Sequence, residues 1–265
     1  MLKLIVCGIC GRMGTALLDL VRESEDFSIV AGVDNNAGVN SKEFTQNPVL
    51  PVFPTIEKVC IDADCVISFM PPTATYENMA LLEYCIKTKL PVVIGTTGLS
   101  GDFLHEMEKA SESTAVLYSS NMSYGVNLVL EIVSRFSGNL IGEGFHVEIV
   151  EAHHGRKIDA PSGTALKLAD TINKTVDIPM GYVYDRSKTS EARRDDEIGI
   201  QSLRGGGIFG EHKIVFAGEH EVVEVSHRAL SRQVFASGAL KAAKFLKGKT
   251  PGMYYMKDLM ENDNA

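Results

Sequence analysis

The chain has 265 residues, and 34 acidic against 26 basic side chains leave a formal charge of −8. That balance argues against a nucleic-acid or anionic-membrane partner, since either would require a basic face. With 45% hydrophobic and 23% charged residues, disordered and fibrous classes are excluded, and the length suits two domains with substantial cores.

The first 120 residues alternate short β-branched runs with helix-period segments. Strands are predicted at Leu2–Cys7, Phe27–Val33, Asp64–Phe69, Pro91–Ile94 and Ala115–Ser119, with helices at Met13–Arg22, Tyr76–Ile86 and around Phe103, Leu104 and Met107. This is the pattern of an α/β domain with a Rossmann-like, doubly wound parallel sheet. The texture changes after Asn121. A helix at Val126–Phe136 leads to a strand in which Phe145, Val147 and Ile149 face one way and His146 and Glu148 the other. Next comes a helix with Ala165, Leu168, Ala169 and Ile172 on one face, Ser162 as its N-cap and Pro161 before it. Ile198–Leu203, His212–Ala217 and Glu221–Ser226 follow as strands without helices between them, which predicts a second α+β domain with an open, mostly antiparallel sheet. The polar run Ser187–Glu197 reads as a mobile loop, and Val234–Leu246 as the last helix.

Strand Leu2–Cys7 runs into Gly8, Ile9, Cys10, Gly11, Arg12, Met13 and Gly14 and then a helix. Such a junction places a pyrophosphate on helix N–H groups. Asp34 closes the second strand, where a carboxylate accepts the adenosine ribose hydroxyls. Asn35 brings no positive charge beside it, which tilts the cofactor toward NADH, with Lys42 or a more distant base still able to serve NADPH. The loops Phe69–Thr73 and Gly95–Gly98 stand at strand C-terminal ends, where either can line the nicotinamide side. Cys7 and Cys10 also form a C-x-x-C, but the glycines around them have no part in a dithiol site. No second Cys or His pair stands at zinc spacing, so no metal is expected. Five cysteines at 7, 10, 60, 65 and 85 do not form a secreted disulfide framework, no leader peptide or membrane-length apolar run is visible, and a cytoplasmic location is expected.

The most informative segment is Glu151 to Ala165. His153, His154, Arg156 and Lys157 crowd into five positions of an acidic chain, just ahead of a helix start at Ser162–Thr164 whose amides can receive a carboxylate. A solvated charged loop is the bland alternative. The cluster fits a small, multiply anionic substrate better, with one histidine exchanging protons and Lys157 giving a proton or a fixed charge.

These pieces, together with Gly95–Gly98, Ser120–Asn127, Gly210–His212 and Ser231–Arg232, resemble the dihydrodipicolinate (4-hydroxy-tetrahydrodipicolinate) reductase family of the diaminopimelate route to lysine. The resemblance implies hydride transfer from NADH or NADPH to a cyclic imine dicarboxylate. It makes His153 the acid/base group, Lys157 the proton donor, and His154 with Gly163 and Thr164 the carboxylate site. It puts the cofactor on Gly8, Ile9, Cys10, Gly11, Arg12, Met13 and Asp34 at one end and on Gly95, Thr96, Thr97, Ser119, Ser120, Asn121 and Met122 at the other, with Arg232 near it. It also implies a dinucleotide domain of 1–121 completed by 235–265, a substrate and oligomerisation domain of 122–234, and a homotetramer. Cys10 and Met122 depart from the family pattern. The rivals are another two-domain dehydrogenase of amino-acid metabolism, which has no need of the segment from His153 to Thr164, and a non-catalytic dinucleotide sensor, which would need a DNA-binding element that the chain does not display.

Overall fold

The computed structural model describes residues 1–36, 50–188 and 190–262, which fall into two compact units. The first comprises Met1–Tyr124 and Arg232–Ala265, the second Gly125–Ser231, so the divisions come at Tyr124 and Ser231.

The first unit is built on β1 (Leu2–Cys7), α1 (Arg12–Arg22), β2 (Phe27–Val33), β3 (Val52–Phe53), β4 (Cys65–Ser68), α2 (Thr75–Thr88), β5 (Val92–Ile94), α3 (Gly101–Ser111) and β6 (Ala115–Tyr118). All pairings in its seven-stranded sheet are parallel, in the order β12-β6-β5-β4-β1-β2-β3, where β12 is Gly252–Tyr254 near the C-terminus. Strand β1 explains why these runs are apolar throughout. Its Leu4 and Val6 pack on one side with Leu17, Ala239 and Leu246, and its Ile5 and Cys7 on the other with Leu81, Cys85 and Met107, so both faces are covered. Chain direction across the sheet reverses between β1 and β4, and ligands of open α/β sheets bind at such a switch point.

The second unit opens with most of α4 (Tyr124–Gly142), followed by β7 (His146–His153), α5 (Gly163–Asn173), β8 (Gly181–Val183), β9 (Glu197–Arg204), β10 (Glu211–Ala217) and β11 (Val222–Arg228). Its sheet is open and runs β11-β10-β7-β9-β8. The expectation of a mostly antiparallel sheet needs correction. β10 pairs antiparallel with β11 and β7, whereas β7–β9 and β8–β9 are parallel, so the sheet is mixed. The reason is that β9 and β10, consecutive in sequence, do not form a hairpin; each pairs with opposite edges of β7, which the crossover through α5 makes possible. Val147, Ile149, Ile214 and Phe216 pack against Val129, Val133, Leu168 and Ile172 of α4 and α5.

Val234–Leu246 is also not the last helix. Helix α6 (Gln233–Leu246) is followed by β12 and by α7 (Met256–Asn262), elements too short to show a period. The polar run before β9 is anchored more firmly than its composition implies. Arg193 donates to the Glu148 carboxylate at 3.3 Å and to the Glu197 carbonyl at 2.6 Å. Among the described residues no helix is long and apolar enough to cross a membrane.

Candidate functional site

In the first unit, β1 delivers the chain into Gly8, which takes φ +79°; a Cβ there would lie 3.1 Å from the Phe69 carbonyl oxygen. A side chain at Gly14 would collide with the Ile9 carbonyl, so α1 starts hard against the turn. The first turn of α1 has glycine at its N-cap and no acidic residue, which leaves the positive end of the helix dipole to an anion. The Asp34 carboxylate accepts from the Cys10 N–H and the Asn36 N–H, each at 3.0 Å, holding the second strand end against the glycine turn. Gly8, Cys10, Gly11, Asp34, Phe69 and Met70 share the lining of a cavity of about 300 Å³. These features suit a dinucleotide: a backbone that can approach phosphate and a carboxylate placed for ribose hydroxyls.

Of the other residues expected here, Ile9 and Met122 are buried in the core, so their side chains serve packing and leave only main chain for a ligand. Thr96 donates to the Met70 carbonyl at 2.7 Å, and the Phe69 ring covers Gly95, which ties the loops after β4 and β5 together. Ser119 donates to the Asn121 carbonyl at 2.7 Å and shapes the turn after β6. Arg12 and Ser120 are exposed, Met13 and Thr97 lie outside the cavity lining, and so does Arg232, the exposed residue before α6. Lys42 lies outside the described residues.

The C-x-x-C does not make a redox pair. Cys7 faces the α2–α3 side of the sheet while Cys10 packs on the α1–α6 side, and burial, with the Asp34 charge adding to it, pushes the Cys7 thiol up to about 12.

In the second unit, the alternation that buries Val147 and Ile149 continues inward to Glu151 and His153. The register places His212 opposite Glu151 on β10, and Ser202 and Arg204 beside Glu151 and His153 on β9. Glu151 is wholly buried, and Arg204 grips it with Nη1 at 2.9 Å and Nη2 at 2.7 Å. Its Oε2 lies 2.6 Å from His153 Nδ1, and its Oε1 accepts from the Ser162 N–H at 3.1 Å. Burial alone would raise this carboxyl; hydrogen bonds from Arg204, Ser202 and His153 outweigh it and hold the group at about 2. Burial lowers His153, and the Glu151 carboxylate opposes that only in part.

Ser162 caps α5 by accepting from the Ala165 N–H at 3.2 Å, and its hydroxyl lies 3.0 Å from His212 Nε2. His212 is edge-on to His153 with ring centroids 5.2 Å apart; burial and the nearby His153 depress it to about 4. Lys157 pairs with Asp159 at 2.8 Å, and its chain turns back through Lys157 N–H to the His154 carbonyl at 3.1 Å. Among the described residues the buried His154 Nδ1 has no hydrogen-bond partner, and Gly163 opens the first turn of α5 with open space where a side chain would stand. The segment thus carries histidines, a lysine and the N-terminal turn of a helix, the kinds of group needed to hold a carboxylate and move a proton. Glu151 and Arg204, which hold His153 in place, are not among the site residues expected from the sequence. The available clue was Glu151 itself, an acidic residue at the inward phase of an otherwise apolar strand face.

Comparison with known proteins follows both units. Sequence models described as dihydrodipicolinate reductase, N-terminus, and dihydrodipicolinate reductase, C-terminus, match residues 2–122 and 125–260. A 4-hydroxy-tetrahydrodipicolinate reductase of Caldanaerobacter subterraneus subsp. tengcongensis is 45% identical over 98% of this chain and 99% of its own. One from Aquifex aeolicus is 38% identical over 97% and 98%. Among solved structures, a dipicolinate-bound dihydrodipicolinate reductase from Paenisporosarcina sp. TG-14 superposes with a TM-score of 0.78 at 26% identity, covering 96% of this chain and 97% of that one. A probable dehydrogenase from Thermotoga maritima, at 13% identity and a TM-score of 0.61, shares the fold.

Proposed function

Since the chain belongs to the dihydrodipicolinate reductase family, we propose that it reduces 4-hydroxy-tetrahydrodipicolinate to tetrahydrodipicolinate with a nicotinamide dinucleotide, on the diaminopimelate route to lysine. The observation that carries this reading is the succession of His153, His154 and Lys157 ahead of the first turn of α5, whose cap Ser162 is bonded to Glu151 and His212 beside His153. Gly8, Gly11 and Asp34 would hold the dinucleotide, with Gly95–Thr97 and Ser119–Asn121 along its nicotinamide end, and the cofactor supplies the hydride.

The remaining work falls to side chains and amides. The Gly163 and Thr164 N–H groups and His154 bind a substrate carboxylate. Hydride addition to a conjugated imine leaves an electron pair on carbon, and Lys157, kept close by Asp159, protonates it. His153 acts as the acid/base group beside the reacting ring.

NADH is the preferred cofactor in this reading. Among the described residues, Asp34, Glu57 and Glu77 share the cavity lining with no lysine or arginine, and Asn35 donates to Glu77 at 2.9 Å. A homotetramer is supported by the sheet face turned away from α4 and α5, where Val150, Leu203 and Val222 are exposed. Five cysteines, none of them in a disulfide, fit a reducing cytoplasm.

The experiment is to generate the substrate by condensing pyruvate with aspartate semialdehyde and to follow oxidation of NADH and NADPH separately. Oxidation of both, faster with NADH at low concentration, is expected; oxidation of neither overturns the assignment.

A further inference from the structure

Both oxygens of the Glu151 carboxylate are occupied by donors of fixed character. The Arg204 guanidinium spans them as a fork, the Ser162 amide donates to Oε1, and His153 Nδ1 meets Oε2 at 2.6 Å. A carboxylate in such a fork is ionised and can only accept, so the hydrogen shared with the imidazole belongs to His153 Nδ1. The other ring nitrogen is turned toward Gly210, where a Cβ would stand 3.2 Å from Nε2, and glycine keeps that nitrogen within reach of a ligand.

We propose that Glu151, clamped by Arg204, is a positioning residue that holds His153 as the Nδ1–H tautomer, leaving Nε2 as an acceptor and Lys157 as the proton donor. This rests on the reductase reading for the role of the two groups, though not for the tautomer itself. The charged and titratable groups around the ring are Glu151, Arg204, Lys157 and His212, and burial with the two cations keeps the imidazole neutral near pH 7 against the pull of Glu151. A neutral ring with a bare Nε2 has no proton to give there; it takes a hydrogen bond or a proton from the substrate. The proton that completes the reduction therefore comes from Lys157. Its Nζ–H bond breaks as the new C–H bond forms with the electron pair left by hydride addition, and the neutral amine regains a proton from solvent. Arg204 links the two groups: the Nη2 that grips Glu151 also donates to the Asp159 carbonyl at 2.6 Å, and the Asp159 side chain holds Lys157.

The tautomer is read directly by nitrogen-15 NMR of the full chain labelled at histidine, with His153 assigned by the signal lost in His153→Gln. A protonated Nδ1 and bare Nε2 are expected, and an Nε2–H tautomer overturns the proposal. In Glu151→Gln, checked for its melt, the preference is expected to disappear and kcat to fall by about 100-fold or more, with the KM for the reduced cofactor within about twofold of native and partial recovery in Glu151→Asp. A folded Glu151→Gln that keeps native kcat also overturns it. Absence of reductase activity in the native protein would remove the functional reading and leave the tautomer measurement able to decide this one.

Discussion

Lys157 is mostly enclosed, with 22% of its side chain exposed, and Asp159 balances its charge. Replacing it tests its chemistry separately from binding. Lys157→Ala is expected to lower kcat by about 10²- to 10⁴-fold, the usual worth of a positioned proton donor, with the dissociation constant for NADH unchanged in a fluorescence titration. Retained turnover would take Lys157 out of the reaction. His212 makes a prediction for stability. Its ring is buried and titrates at about 4 in the folded chain against 6.5 when free, so between these values the unfolded chain binds the extra proton. Stability should therefore fall as pH drops from 6.5 toward 4 and recover as pH rises, and His212→Gln should flatten that part of a plot of Tm against pH. At this scale the histidines, Lys157 and Asp34 were legible because each is chemically unusual for its place in the chain. Arg204 was not, because its importance comes from a β7–β9 register formed between residues about fifty positions apart.

The elements of the first unit depend on two contacts where only glycine fits. A Cβ at Gly14 would run into the Ile9 carbonyl, and one at Gly238 would run into the Met122 carbonyl, where α6 meets the turn after β6. Gly14→Ala should lower stability by about 2 kcal/mol or more and weaken NADH binding, because α1 must move away from the glycine turn. Gly101→Ala, at the exposed start of α3 with nothing near its Cβ, should be neutral or stabilising by up to about 1 kcal/mol. Urea melts of the two variants decide this, and equal effects would contradict the packing described. Long periodic elements were readable: β1 and β2 fall where their apolar runs end, and Ser162 caps α5 as expected. Strands β3, β8 and β12 have two or three residues each, too few for an alternation, and owe their existence to a neighbouring strand edge. The mixed pairing of the second sheet was hidden for the same reason, since it is a choice of partner and not of local conformation.

For the molecule as a whole, the charge of −8 is compatible with the two anion sites proposed above, one at the start of α1 and one in the segment from His153 to the start of α5. Average charge is informative about polymeric partners and silent about a small dicarboxylate, whose recognition depends on a few placed donors. The exposed face of the second sheet bears on assembly. The native protein, of 28.8 kDa chains, should sediment as the proposed tetramer in analytical ultracentrifugation and Val150→Asp, beside Glu148 on that face, as smaller species; a native monomer would contradict the proposed assembly. Hydride transfer is tested most directly by following the hydrogen itself. NADH deuterated at both C4 positions is incubated with the protein and the condensation product of pyruvate and aspartate semialdehyde, and the product is weighed by mass spectrometry. Tetrahydrodipicolinate carrying a single deuterium from the cofactor is expected, whereas product without cofactor deuterium, or no reduced product at all, would contradict the proposed hydride transfer.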